Sequence, residues 1–110
     1  MQKQKLLSLF GLAKKAGRIT LGYDKAVESA HKNKAYVIFT ASDLSEKTEK
    51  GLIYATESKN IKVIRTEIDI FEISQAVGQK TGIVSVNDAG FGKTCLKLIE
   101  EPQKQEGNGI

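Results

Sequence analysis

The chain has 110 residues, of which 40% are hydrophobic and 27% charged, with a net charge of +4 and a pI near 9.2. Those values describe one ordinary folded domain and exclude a disordered polymer, while the basic excess admits RNA, DNA or an anionic surface as partner. No apolar run is long enough to cross a membrane, and the single cysteine, Cys95, excludes an internal disulfide framework and fits a reducing cytoplasm.

In chain order, residues 3–16 read as a first helix with Leu6, Leu9, Phe10, Ala13 and Ala16 on one side and Gly17 as its stop. Ser8 and Gly11 interrupt the apolar character of this segment and Lys14-Lys15 follow it, so no cleaved signal peptide is expected. Residues 18–21 alternate as a short strand. Residues 23–33 form a second helix with Val27 and Ala30 inward and His31 exposed. The uninterrupted β-type run 36–40 marks a central strand covered on both faces. Ser42-Asp43-Leu44-Ser45 offers caps for a third helix reaching about Ser58, Asn60 punctuates, and residues 61–65 form a third strand.

Asp69-Ile70-Phe71-Glu72 has capping-box spacing, and Gly78 ends the short helix that follows. Residues 83–86 are the fourth strand. Phe91, Cys95, Leu98 and Ile99 mark a final helix before Pro102. The alternation predicts an α/β protein, a three-layer α/β/α sandwich with a four-stranded mixed sheet. We expect one domain over residues 1–101 and a polar, disordered tail over 102–110.

Charge is distributed unevenly. Up to Lys34 the chain carries Lys3, Lys5, Lys14, Lys15, Arg18, Lys25, Lys32 and Lys34 against only Asp24 and Glu28, and the remainder is acidic on balance. Within that cationic half, the strand, glycine turn and helix start around Gly22 frame unpaired N–H groups and the positive end of a helix dipole. A cationic half around an anion-receptive turn points to a nucleic-acid backbone.

Enzymatic constellations are weak. Ile83-Val84-Ser85-Val86-Asn87-Asp88-Ala89-Gly90-Phe91-Gly92-Lys93-Thr94 is laid out like a P-loop, strand, loop, Gly-Lys-Thr and helix, but Asn87 stands where the first glycine belongs and Asp88 sets a carboxylate among phosphate oxygens. The plain alternative is a helix start capped by Asn87 or Asp88, with Lys93 solvated, and we expect no nucleotide binding. His31 is the only histidine, which rules out a histidine pair, and Cys95 lies on the apolar face of its helix as a core thiol. No metal, cofactor or catalytic residue is expected. Glu46, Glu49 and Lys50 read as members of surface pairs.

Gly22-Tyr23-Asp24-Lys25-Ala26-Val27-Glu28 and Lys34-Ala35-Tyr36-Val37-Ile38-Phe39-Thr40-Ala41-Ser42-Asp43 resemble the kink-turn RNA-binding ribosomal-protein family. Leu9-Phe10-Gly11-Leu12-Ala13-Lys14-Lys15-Ala16-Gly17 and Asn87-Asp88-Ala89-Gly90-Phe91 point to its small bacterial, YlxQ-like branch. The resemblance covers about residues 5–100 and implies the same sandwich, a non-enzymatic role, and binding to ribosomal or other structured RNA. Ribosome-associated proteins are further partners it implies; a membrane is not.

In that family a Gly-x-Asn-Glu-x-x-Lys turn meets sheared G·A pairs. Gly22 matches its glycine, Asp24 takes the asparagine place, Lys25 the glutamate place and Glu28 the lysine place. Asp24 accepts but does not donate as an amide would, Lys25 only donates and suits a phosphate, and Glu28 repels one. The alternative for this segment is a plain Lys25–Glu28 surface pair beside a turn glycine.

The family's second surface is the loop entering the last strand, here Gln79-Lys80-Thr81-Gly82-Ile83. Gly82 would admit a base or sugar and Ile83 would supply apolar contact, unless Ile83 belongs to the core. The expected RNA contacts are therefore Lys14, Lys15, Arg18, Gly22, Tyr23, Asp24, Lys25, Glu28, Lys32, Lys80, Thr81, Gly82 and Ile83. The rival function is a protein–protein adaptor on the same fold that has lost RNA recognition.

Overall fold

The computed structural model describes residues 1–102. The tail expected over 102–110 lies, apart from Pro102, outside the described residues.

Among the described residues five α-helices alternate with four strands. They run α1 (Lys3–Lys15), β1 (Ile19–Leu21), α2 (Tyr23–His31), β2 (Val37–Thr40), α3 (Glu46–Thr56), β3 (Lys62–Arg65), α4 (Ile70–Val77), β4 (Ile83–Val86) and α5 (Ala89–Glu100). The strand order is β1-β4-β2-β3. β2 pairs parallel with β3, whereas β4 runs antiparallel to both its neighbours, so the sheet is mixed. β2 and β4 occupy the centre and bury every residue, as the uninterrupted apolar run 37–39 demands. β3, at one edge, exposes Lys62 and Arg65, charges that discourage edge-to-edge pairing.

Alternation along the strands divides the core into two layers. Val37, Phe39, Val84 and Val86 meet Leu6, Phe10 and Ala13 of α1, Ile73 and Val77 of α4, and Cys95 of α5. Phe10 and Phe39 stack at a 46° tilt with centroids 5.6 Å apart. On the other face Ile38 and Ile83 meet Ala26 of α2 and Leu52 of α3. This second layer is smaller, and towards β1 it turns polar. The Thr20 and Ser29 hydroxyls lie 2.9 Å apart, the Asn87 amide donates to both at 3.2 and 3.3 Å, and Ser85 donates to the Asn87 carbonyl at 2.7 Å.

The helix boundaries follow their capping chemistry. Gly17 ends α1 at φ 71° and Gly78 ends α4 at φ 74°, conformations that glycine adopts without a Cβ penalty. Ser45 caps α3, Asp69 and Glu72 form the full capping box of α4, and Asp88 caps α5. Asp43 reaches across the chain instead, accepting from the Ile70 N–H at 2.9 Å at the start of α4.

Some expected details differ. Ala16 is exposed, because α1 closes at Lys15 and the chain turns away. α2 stops at His31, two residues early, where Asn33 enters the left-handed region at φ 59°. α3 ends at Thr56 and passes into a tighter 3₁₀ turn over Glu57–Lys59. Tyr36 precedes β2 and lies outside it.

Candidate nucleic-acid interface

The turn from β1 into α2 is built by Gly22. Its φ of 92° with ψ of 169° belongs to a region closed to residues with a Cβ, and its N–H donates to the Ile83 carbonyl at 2.9 Å. The turn is thereby fixed beside the start of β4. Because the cap residue is glycine, no side chain satisfies the first N–H groups of α2, whereas α3, α4 and α5 each receive an oxygen from Ser45, Asp69 or Asp88. The amides of Tyr23, Asp24 and Lys25 are left for water or a ligand, at the positive end of a nine-residue helix.

The side chains around this helix start are disposed unequally. Tyr23 leans on α3, where a Cβ at Gly51 would lie 3.2 Å from its hydroxyl oxygen. Asp24 and Lys25 are exposed, and neither enters an ion pair among the described residues. The Lys25–Glu28 pair entertained from spacing does not form: Glu28 pairs with Lys32 one turn on, at 3.7 Å. Lys14 and Lys25 converge with Gln79 on a shallow groove of about 160 Å³ whose wall is the free edge of β1. Lys15 is exposed on the last turn of α1. Arg18 is exposed too, its Nε 4.0 Å from Asp88.

The loop before β4 departs from the expected picture. Gln79 and Lys80 are at the surface. Thr81 is buried and spent on the fold, donating to the Ile83 carbonyl at 2.9 Å and accepting from the Ile83 N–H at 3.2 Å. The room beside Gly82 is taken by the protein itself, since a Cβ there would meet Ile70 at 3.0 Å and Leu44 at 3.2 Å. Ile83 is only 3% exposed and packs under α2 and α3. Its register in β4 points it inward, so the apolar nucleotide contact expected of Ile83 is not presented on the surface. Gln79, part of this loop but not among the expected contacts, takes a place in the groove. Its position between the stop Gly78 and the cationic Lys80 was the available signal.

The segment laid out like a P-loop is a capped helix start. Asp88 accepts from the Phe91 N–H at 2.8 Å, which fills the anion position with its own carboxylate. Gly92 is buried beneath the Tyr36 ring, and Lys93 is solvated. His31 is exposed with Nε2 2.9 Å from the Ala55 carbonyl oxygen. Burial pushes the Cys95 thiol up to about 12. Glu49 pairs with Arg65 of β3, whose guanidinium also donates to the carbonyls of Ser42 and Leu44 at 2.7 and 3.1 Å. That network is structural. Among the described residues no cluster of three or more His, Cys, Asp or Glu side chains is arranged to hold a metal, and no helix is long and apolar enough to cross a membrane.

An uncapped, glycine-led helix start flanked by lysines, on an α/β/α sandwich with this strand order, defines a class of small domain. The chain belongs to the ribosomal protein L7Ae/L30e/S12e/Gadd45 family, whose model matches residues 4–98. It is 30% identical over 98 residues to a protein of Enterococcus faecium named RNA-binding protein YlxQ, an alignment covering 89% of this chain and 94% of that one. A solved structure of a protein of unknown function from Bacillus halodurans superposes with a TM-score of 0.81 at 28% identity, covering 88% of this chain and 98% of the other. A 15.5 kD RNA binding protein of Giardia lamblia shares the fold, with a TM-score of 0.68 at 20% identity over 88% of this chain and 83% of its own.

Proposed function

We propose that this protein is a non-enzymatic RNA-binding protein that takes structured RNA, of the kink-turn type, on the start of α2. The observation that carries the reading is the uncapped N-terminus of α2 behind Gly22, with Lys14 and Lys25 beside it. Family membership and the name of the Enterococcus faecium relative support RNA as the partner. In this reading the amides of Tyr23 to Lys25 face a phosphate or base edge, Asp24 accepts from a guanine N–H, and Lys25 and Lys14 pair with phosphates. The inverted charge order at Lys25 and Glu28 shifts the balance from base contact towards backbone contact. Contacts from the loop before β4 come from Gln79 and Lys80, because Thr81 and Ile83 are buried.

The adaptor reading rests on a different surface, where Leu12 and Phe71 are 58% and 69% exposed on α1 and α4. One titration separates the two. Fluorescence anisotropy of the full chain against a labelled kink-turn RNA and a matched unbent duplex should give tighter binding to the kink-turn. Equal affinities would retain RNA binding and remove the kink-turn mode. No binding to either RNA up to about 0.1 mM, the weak end of non-specific association, would leave the adaptor reading.

A further inference from the structure

At the opposite end of α2 from the glycine turn lies a cleft of about 570 Å³, large enough for a nucleotide-sized ligand. Its floor is polar. Thr20 of β1, Ser29 of α2 and Asn87 after β4 meet there in the hydrogen-bonded group described above, with Ser85 behind them. On the rest of this sheet face Ile38, Ile83, Ala26 and Leu52 pack together, with the buried Thr40 opposite Ile83. Arg18, Lys32 and Lys34 stand at the rim, and the one carboxylate among the lining residues, Glu28, is already paired with Lys32. The left-handed Asn33 sends the chain back over the end of α2. The Lys34 N–H bonds the Ser29 carbonyl at 2.8 Å, which brings Lys34 to the cleft mouth.

We propose that this cleft is a second seat for the RNA strand, holding one ribose-phosphate unit beyond the nucleotides at the turn; the inference rests on the RNA-binding reading. The hydroxyl and amide groups of the floor donate and accept, as ribose hydroxyls and phosphate oxygens require. Of the three rim cations, Lys32 pairs with Glu28 and Arg18 stands 4.0 Å from Asp88, while Lys34 enters no ion pair among the described residues. Thr20 lines both this cleft and the groove holding Lys14 and Lys25, so the two recesses adjoin at β1. The nine residues of α2 span about 14 Å, the rise of roughly four stacked nucleotides, which suits a strand lying along the helix better than a free mononucleotide. The two seats differ physically. The start of α2 offers backbone amides, whereas its end carries the negative pole of the helix dipole, so an anion there depends on side-chain cations alone.

The test compares the parent chain with Arg18→Gln/Lys34→Gln and with a control, Lys62→Gln, on the far sheet edge. RNA affinity is titrated across a range of salt. The double variant should bind about tenfold more weakly at low salt, and the slope of log K against log salt should flatten by about 0.7, one lost single-strand phosphate contact. It should keep the parent's preference between RNAs, and the control should retain the parent's affinity and slope. If the parent binds RNA and the double variant matches the control, the cleft is not a seat while the turn reading stands. If the parent binds no RNA, both readings fall together. Saturable micromolar binding of adenosine monophosphate to the parent, abolished in the double variant, would replace the strand with a free nucleotide and overturn the proposal.

Discussion

The aromatic ring of Tyr36, just before β2, lies across Gly92 on α5, so closely that a Cβ at residue 92 would fall inside the ring's van der Waals surface. The Tyr36 N–H also donates to the Val86 carbonyl at 2.8 Å, which holds the ring in place. A glycine that reads as part of a phosphate loop is thus a packing glycine.

Gly92→Ala should therefore destabilise the fold by about 1–3 kcal/mol, the usual cost of overpacking, in urea or thermal unfolding. Lys93→Ala should change neither stability nor ligand binding, and ATP and GTP should fail to bind the parent in isothermal titration. A low-micromolar nucleotide affinity lost with Lys93 would restore the phosphate-loop reading.

Gly22→Ala tests the turn. With φ at 92° and open space around it, the penalty is conformational and not steric, about 1–3 kcal/mol of stability. RNA affinity should fall as well, because relaxing the turn re-aims the first amides of α2. Denaturant unfolding and anisotropy on the same sample measure both effects.

The Cys95 thiol, fully buried beside α1, ionises near 9.0 in an unfolded chain and about 12 when folded. Its neutral form is the one the fold accommodates. The stability it contributes is complete below pH 9 and declines as pH rises towards 12. At pH 8 a thiol-reactive disulfide should label the native protein only at the rate of unfolding, and the denatured protein at once.

Most of the architecture was legible in the residues. Periodicity and punctuation located all five helices and four strands, and Asp69, Glu72, Gly17 and Gly78 act as their types predict. What local pattern does not encode is tertiary partnership. Asp43 looks like a cap for α3 and serves α4, and Glu49 pairs with Arg65 sixteen residues on. Ile83 could have faced either way from its loop; only the register with Thr40 and its place beneath α2 decide that it is core. The polar floor under α2 was hidden for a related reason. Thr20 and Ser29 lie far in sequence from Ser85 and Asn87, and the two pairs meet because β4 inserts between β1 and β2.

The departures from the family's turn can be reversed together. Asp24→Asn, Lys25→Glu and Glu28→Lys remove one negative charge overall, so a gain confined to kink-turn RNA would come from hydrogen-bond complementarity. We expect at least about tenfold tighter kink-turn binding, roughly 1.4 kcal/mol, and little change on an unbent duplex. Glu28→Lys also breaks the pair with Lys32 and sets like charges one turn apart, at a cost of a few tenths of a kcal/mol in stability. Equal gains on both RNAs in competition binding would assign the effect to charge.

Whether RNA seats on the start of α2 is read most directly from backbone amide chemical shifts of the full chain during titration with kink-turn RNA. The largest saturating shifts should fall on Tyr23, Asp24 and Lys25, with smaller ones at Lys14 and Gln79 and none around Phe71 and Leu12. Shifts centred on Phe71 and Leu12, or saturation by RNA that leaves residues 23–25 unmoved, would contradict the α2 start as the RNA-binding site.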